Sequence, residues 1–169
     1  MGRKFFAKNT RLIVTSDWHL GYNNFYKHKL NGRSPMRPQF KSAYECESLI
    51  FKNLSDAIIS NTDVLLCLGD STMKPELLSR LDNLKCRKLL VMGNHDQSHG
   101  ARALLSYFDD CFGVLIHKNL IFTHVPIIST EIPRHSINVH GHLHYGVLNG
   151  PYQSACLEVN NYKPVIINV

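Results

Sequence analysis

The chain has 169 residues, 44% of them hydrophobic and 19% charged, with a formal net charge of +6. That length suits a single domain, 1–169, with a sizeable core, and the composition excludes a disordered chain. The basic excess is local: residues 1–41 hold nine Lys/Arg and one Asp, while residues 42–169 hold ten Lys/Arg and twelve Asp/Glu. One positive surface beside a nearly neutral body is therefore expected. No apolar run approaches the ~18 residues of a membrane span, and Met1–Arg11 is not followed by the apolar stretch of a signal peptide. Cys46, Cys67, Cys86, Cys111 and Cys156 are odd in number and widely spaced. They suit buried free thiols in a reducing cytoplasm better than a disulfide framework or a zinc knuckle.

Short, β-branched apolar runs recur along the chain and predict buried strands: Leu12–Val14, Val64–Leu68, Leu89–Met92, Val114–Ile116, Leu120–Phe122, Ile137–Val139 and Val165–Ile167. Between the first two, Ala43, Cys46, Ile50, Leu54 and Ala57/Ile58 recur at helical steps, with Ser42 as a natural N-cap. A second helix is expected from Pro75, carrying Leu77, Leu78, Leu81 and Leu84, and a short third over Ala101–Tyr107. Alternating strands and helices give an α/β beginning, and the closely spaced later strands suggest an antiparallel or mixed sheet. Residues 20–41 break this rhythm with a polar, basic, aromatic stretch containing two prolines and two glycines. It is long for an ordered loop, and a mobile surface loop is the plain alternative to a functional one.

Five of the apolar runs lead into polar donors. They reach Asp17 and His19; Gly69-Asp70; Gly93-Asn94-His95-Asp96; Thr123-His124; and His140-Gly141-His142-Leu143-His144. Ligand sites in α/β sheets form beyond the carboxyl ends of strands, and neighbouring strands lie only about 4.8 Å apart. Residues just past several strand ends can thus meet at one point. Each piece alone is a common turn, cap or structural histidine. Together they offer oxygen and imidazole donors with no thiolate, which suits Mn²⁺, Fe or Zn²⁺ in a hydrolytic site.

These five blocks, in this order, resemble those of the calcineurin-like metallophosphoesterase superfamily, and Tyr162-Lys163-Pro164-Val165 resembles the last strand of its small prokaryotic and phage branch. The resemblance implies a four-layer α/β/β/α sandwich of mixed sheets and two divalent metal ions, Mn²⁺ first, with Fe, Zn²⁺ or Ni²⁺ as alternatives. By that likeness Asp17, His19 and His144 hold one metal, Asn94, His124 and His142 the other, and Asp70 bridges them. A bridging water of lowered pKa then supplies a hydroxide to attack phosphorus. His95 gives a hydrogen bond or proton to the leaving oxygen. Two departures stand out. Asp70 is followed by Ser71-Thr72-Met73-Lys74, without the acidic extension of protein phosphatases, so Asp96 is the candidate to orient His95. Tyr22 stands where the small branch often has histidine.

The expected substrate is a phosphodiester, either a cyclic nucleotide or a small nucleotide diester. Tyr22, Asn23, Asn24, Phe25, Tyr26, Lys27, Arg33 and Arg37 are its candidate contacts, and the aromatic ones could stack on a base. A nuclease of the same superfamily is the alternative, since Ser16–Gly21 resembles the first block of DNA-repair exonuclease subunits and the basic excess suits nucleic acid. A non-catalytic interaction scaffold is the third reading. His140 is either a partner of the site or a core residue, while His28, His99, His117 and His135 are expected on the surface and Trp18 in a packing wall. No membrane partner is expected, and a cytoplasmic location is.

Overall fold

A computed structural model describes residues 5–26 and 35–169. Among these, the predicted apolar runs become strands of two sheets. The first sheet runs β4-β3-β2-β1-β9, from β1 (Arg11–Thr15), β2 (Val64–Cys67), β3 (Arg87–Val91), β4 (Asp110–Phe112) and β9 (Val165–Asn168). Its first four strands in chain order are parallel, and β9 is antiparallel to β1. The second sheet runs β5-β6-β7-β8, from β5 (Leu115–His117), β6 (Leu120–Thr123), β7 (Ile137–His140) and β8 (Tyr152–Ser154). The tight β5–β6 hairpin is antiparallel, whereas β6, β7 and β8 are parallel neighbours.

Period-two alternation splits the first sheet's side chains between two cores. Leu12, Val14, Leu66, Leu68, Leu89 and Val91 face the second sheet and meet Leu115, Phe122 and Val139 there. Ile13, Leu65, Cys67 and Leu90 face outward and are covered by helix α1 (Ala43–Ala57) through Cys46, Ile50, Phe51 and Leu54. The Ser42 hydroxyl accepts from the Glu45 amide and caps α1 as its sequence predicts. Trp18 is fully buried in the same core, stacked 6.4 Å from Phe108.

The structure departs from the sequence reading in several elements. The helix expected from Pro75 is present as a 3-10 helix, Pro75–Asn83. Leu78, Leu81 and Leu84 are buried at intervals of three, the spacing that eclipses on a 3-10 helix. The expected third helix is a single turn, α2 (Ala101–Leu104), and the expected strand at Val114–Ile116 is shifted to Leu115–His117. Strands β4 and β8 have no long apolar run to announce them. The expected α/β fold of two mixed sheets is present, and an irregular segment with a 3-10 turn at Ser129–Glu131 lies over the outer face of the second sheet. That segment is tied down where the Ile127 amide donates to the buried Asn138 and the Tyr152 hydroxyl donates to Ile127 O. His117, expected at the surface, is buried edge-on against Phe6. His28 lies outside the described residues. The five cysteines are free thiols, with Cys46, Cys67 and Cys156 buried. No helix among the described residues is long and apolar enough to cross a membrane.

Candidate metal centre

The polar donors issue from the carboxyl ends of parallel neighbours. β1 leads to Asp17 and His19, β2 to Asp70, β3 to Asn94 and His95, β6 to His124, and β7 to His142 and His144. The turns are sewn together by backbone bonds, from Asp17 N to Gly69 O (3.0 Å), His19 N to Asp70 O (2.9 Å) and Gly141 N to His124 O (2.9 Å). The second and third blocks also need their glycines. A Cβ on Gly93 would collide with the Asp70 carboxylate and amide, and Gly69 sits at φ +91° against the Gly93 backbone.

Among the described residues, donor atoms gather in three overlapping groups, Asp17/His19/His144, His19/Asp70/His95 and Asp70/His124/His142, with the atoms of each group within 4.8 Å of one another. Their arrangement fits cations. His124 Nδ1 lies 2.8 Å from Leu68 O, and a carbonyl only accepts, so Nδ1 carries the hydrogen and Nε2 is the proton-free nitrogen of the neutral ring. That Nε2 faces Asn94 Oδ1 at 3.0 Å, His142 Nδ1 at 3.2 Å and Asp70 Oδ2 at 3.4 Å. So many lone pairs converging need a proton or a metal between them. Asp17 Oδ1 and His19 Nε2 are likewise buried without a hydrogen-bond partner, a costly state that a metal would relieve.

The electrostatics agree with this arrangement. Burial alone would raise the Asp17 carboxyl, but the imidazoles of His19, His144 and His124 outweigh it and hold it well below the usual carboxylate range. Asp70 is likewise lowered, against its burial, by His124 and the His95 amide. Burial pushes His19 down, whereas His124 and His144 are raised despite burial, by Asp70 and Asp17 and by Glu158 respectively.

His95 donates its amide to Asp70 Oδ1 at 2.9 Å, and its half-exposed ring stands 3.9 Å from Asp70 Oδ2. Asp96 does not reach that ring. Its buried carboxylate accepts from the amides of Asp70 (2.8 Å), Ser71 (3.0 Å) and Gly93 (2.9 Å) and from the Ser71 hydroxyl (2.7 Å). The expectation that Asp96 orients His95 directly is therefore corrected: it locks the β2 and β3 turns to each other. Arg37 is also corrected. Instead of reaching outward to substrate, its guanidinium is fully buried against Glu158. Phe25 and Tyr26 are buried too, and Phe25 packs edge-on against His19 (4.8 Å) and His144 (5.6 Å), so neither is placed to stack on a base. Tyr22 is half-buried beside His19, and Asn23 and Asn24 are exposed. Lys27 and Arg33 lie outside the described residues. His140 is buried with Nδ1 2.9 Å from Gly141 O, and His99 is half-buried against Thr72 O. The sequence reading missed Glu158, 3.1 Å from His144 Nδ1, and Cys156, whose thiol lies 3.3 Å from Asp17 Oδ2. No local pattern marks either residue.

A family model for calcineurin-like phosphoesterases matches residues 10–164. The chain belongs to the calcineurin-like phosphoesterases. This places it among metal-dependent hydrolases acting on phosphate esters. It is similar to the DNA double-strand break repair protein Mre11 of Haloferax volcanii, with 32% identity over an alignment of 107 residues covering 56% of this chain. The match spans only 21% of that relative's length. The crystal structure of a protein of unknown function from Aquifex aeolicus is similar at a TM-score of 0.69 and 27% identity, covering 94% of this chain and 96% of that one.

Two predictions follow from the geometry. An Asn at position 96 would turn an amide N–H toward backbone donors. Asp96→Asn should therefore cost more than about 2 kcal/mol in urea unfolding, while His95→Ala stays within about 1 kcal/mol. Secondly, His124 and His144 hold protons more strongly than an ordinary imidazole, and a metal must displace them. Divalent-metal affinity should fall as pH drops through their raised pKa values, a loss that begins above the ordinary value of about 6.5. Calorimetry in buffers of different protonation enthalpy should show proton release on binding near that pH, diminishing as pH rises.

Proposed function

We propose that this calcineurin-like phosphoesterase hydrolyses a phosphodiester with two divalent metal ions, Mn²⁺ first. The observation that most supports this is Asp70, whose carboxylate belongs to two of the three donor groups. On this reading Asp17, His19 and His144 hold one ion, Asn94, His124 and His142 the other, and Asp70 reaches both. Bound there, the ions supply charge stabilisation at the phosphoryl oxygens and lower the pKa of the attacking water. The chain's own task is to keep the donors deprotonated and the turns fixed, and to place a proton where the leaving oxygen departs. His95 suits that last role, because its amide is anchored on Asp70 while 41% of its side chain remains accessible.

A diester is favoured because the residues after Asp70 are spent on structure rather than on an acidic extension. Ser71 binds Asp96, and the buried Thr72 binds Leu20 O and Lys74 O. Tyr22, Asn23 and Asn24 remain as candidate substrate contacts beside the ligands. A nuclease is the second reading, favoured by the likeness to a protein named for DNA double-strand break repair.

Matched mono- and diester substrates assayed with Mn²⁺, Zn²⁺, Ni²⁺ and Fe²⁺ test this. The diester should be preferred, and His95→Ala should lower kcat roughly 100- to 10,000-fold with metal content unchanged. Monoester preference would reject the diester reading, and activity surviving both Asp70→Asn and His95→Ala would reject the two-metal one. Faster cleavage of DNA than of small diesters would favour the nuclease.

A further inference from the structure

The geometry points to Glu158 as a positioning residue for one of the two metal positions, with Arg37 as its fixed counter-charge; this rests on the two-metal reading above. Glu158 Oε1 lies 3.1 Å from His144 Nδ1, 2.9 Å from Arg37 Nε and 2.8 Å from Arg37 Nη2. A carboxylate oxygen only accepts, so His144 Nδ1 carries the hydrogen. Nε2 is then free to ligate, and it faces Asp17 Oδ1 at 3.8 Å. The same guanidinium donates to Asp17 O at 2.6 Å and Trp18 O at 3.0 Å, so it grips the backbone of the first donor block as well.

The side chains of Arg37 and Glu158 are wholly buried. Burying such a pair carries a large desolvation cost, and apolar replacements are often at least as stable. Its placement behind a donor imidazole gives it a task other than stability. Cys156, two residues earlier, completes the arrangement. Its thiol and the His142 amide both donate to Asp17 Oδ2, at 3.3 Å and 2.9 Å. Oδ2 is thereby occupied, and Oδ1 is the oxygen left buried without a partner.

The other position is built differently. His124 Nδ1 donates to a neutral backbone carbonyl, Leu68 O. One imidazole is backed by a negative charge and the other is not. The ion at Asp17, His19 and His144 therefore depends on the charge at position 158, and its neighbour does not.

Calorimetric titration of the metal-free chain with Mn²⁺ tests this. Glu158→Gln keeps the volume and an acceptor but removes the charge. It should weaken one of two binding steps roughly 10- to 100-fold and leave the other within about twofold. If the single variant does not fold, because Arg37 is left without a counter-charge, the Arg37→Met/Glu158→Gln pair replaces it and should show the same one-step loss. Two unchanged steps, or equal weakening of both, would overturn the assignment of Glu158 while leaving the two-metal reading intact. A wild-type chain taking up fewer than two ions would overturn that reading itself, and this inference with it.

Discussion

Asp17, His19, Asp70, His142 and His144 all take positive φ, between 49° and 70°, each just beyond a strand. Left-handed backbone is uncommon outside glycine, although aspartate and histidine tolerate it better than most residues. Its effect here is geometric. A strand that continued extended would alternate its side chains between faces. A left-handed turn instead redirects the chain at once, and the next donor points back toward the mouth between the two sheets. Residues in such conformations persist only where their surroundings over-determine them.

The surroundings do so with buried hydrogen bonds anchored on two apolar cores. The Asp96 carboxylate ties Asp70 and Ser71 to Gly93. The Ser16 hydroxyl donates to Leu68 O at 2.8 Å, and Asp17 Oδ2 takes the His142 amide from the opposite sheet. The two sheets share one apolar core through Leu66, Leu68, Phe122 and Val139, which fixes their strand ends side by side. Asp96, Ser16 and Asp17 Oδ2 are thus bonded on the scaffold side, while donor atoms are left unpartnered on the side where they meet. Asp17 Oδ1 and His19 Nε2 show that division most clearly.

Much of this was legible in the sequence. The apolar runs at Leu12–Val14, Val64–Leu68 and Leu89–Met92 name their own strands, and the donors that follow them are local in sequence. The partners of those donors are not local. Glu158 is 121 residues from Arg37 and 14 from His144, and nothing around it differs from an ordinary surface glutamate. Arg37 read as a substrate contact in the basic 20–41 stretch because charge counts do not reveal pairing. Its charge is balanced inside the protein, and Arg11, in the same basic quarter, pairs with Asp63 at 2.7 Å. The helix from Pro75 was legible in its leucines but its 3-10 period was not, because Leu77 next to Leu78 imitates an α-helical stripe, although only the three-residue series from Leu78 is fully inside.

The central claim is that one shared carboxylate joins two metal positions built by the two sheets together. Anomalous diffraction from crystals of the Mn²⁺-loaded protein tests it most directly. Two peaks about 3.5–4 Å apart are expected, as in two-metal sites generally, with Asp70 contacting both. A single peak, or a second one away from Asn94, His124 and His142, would contradict it.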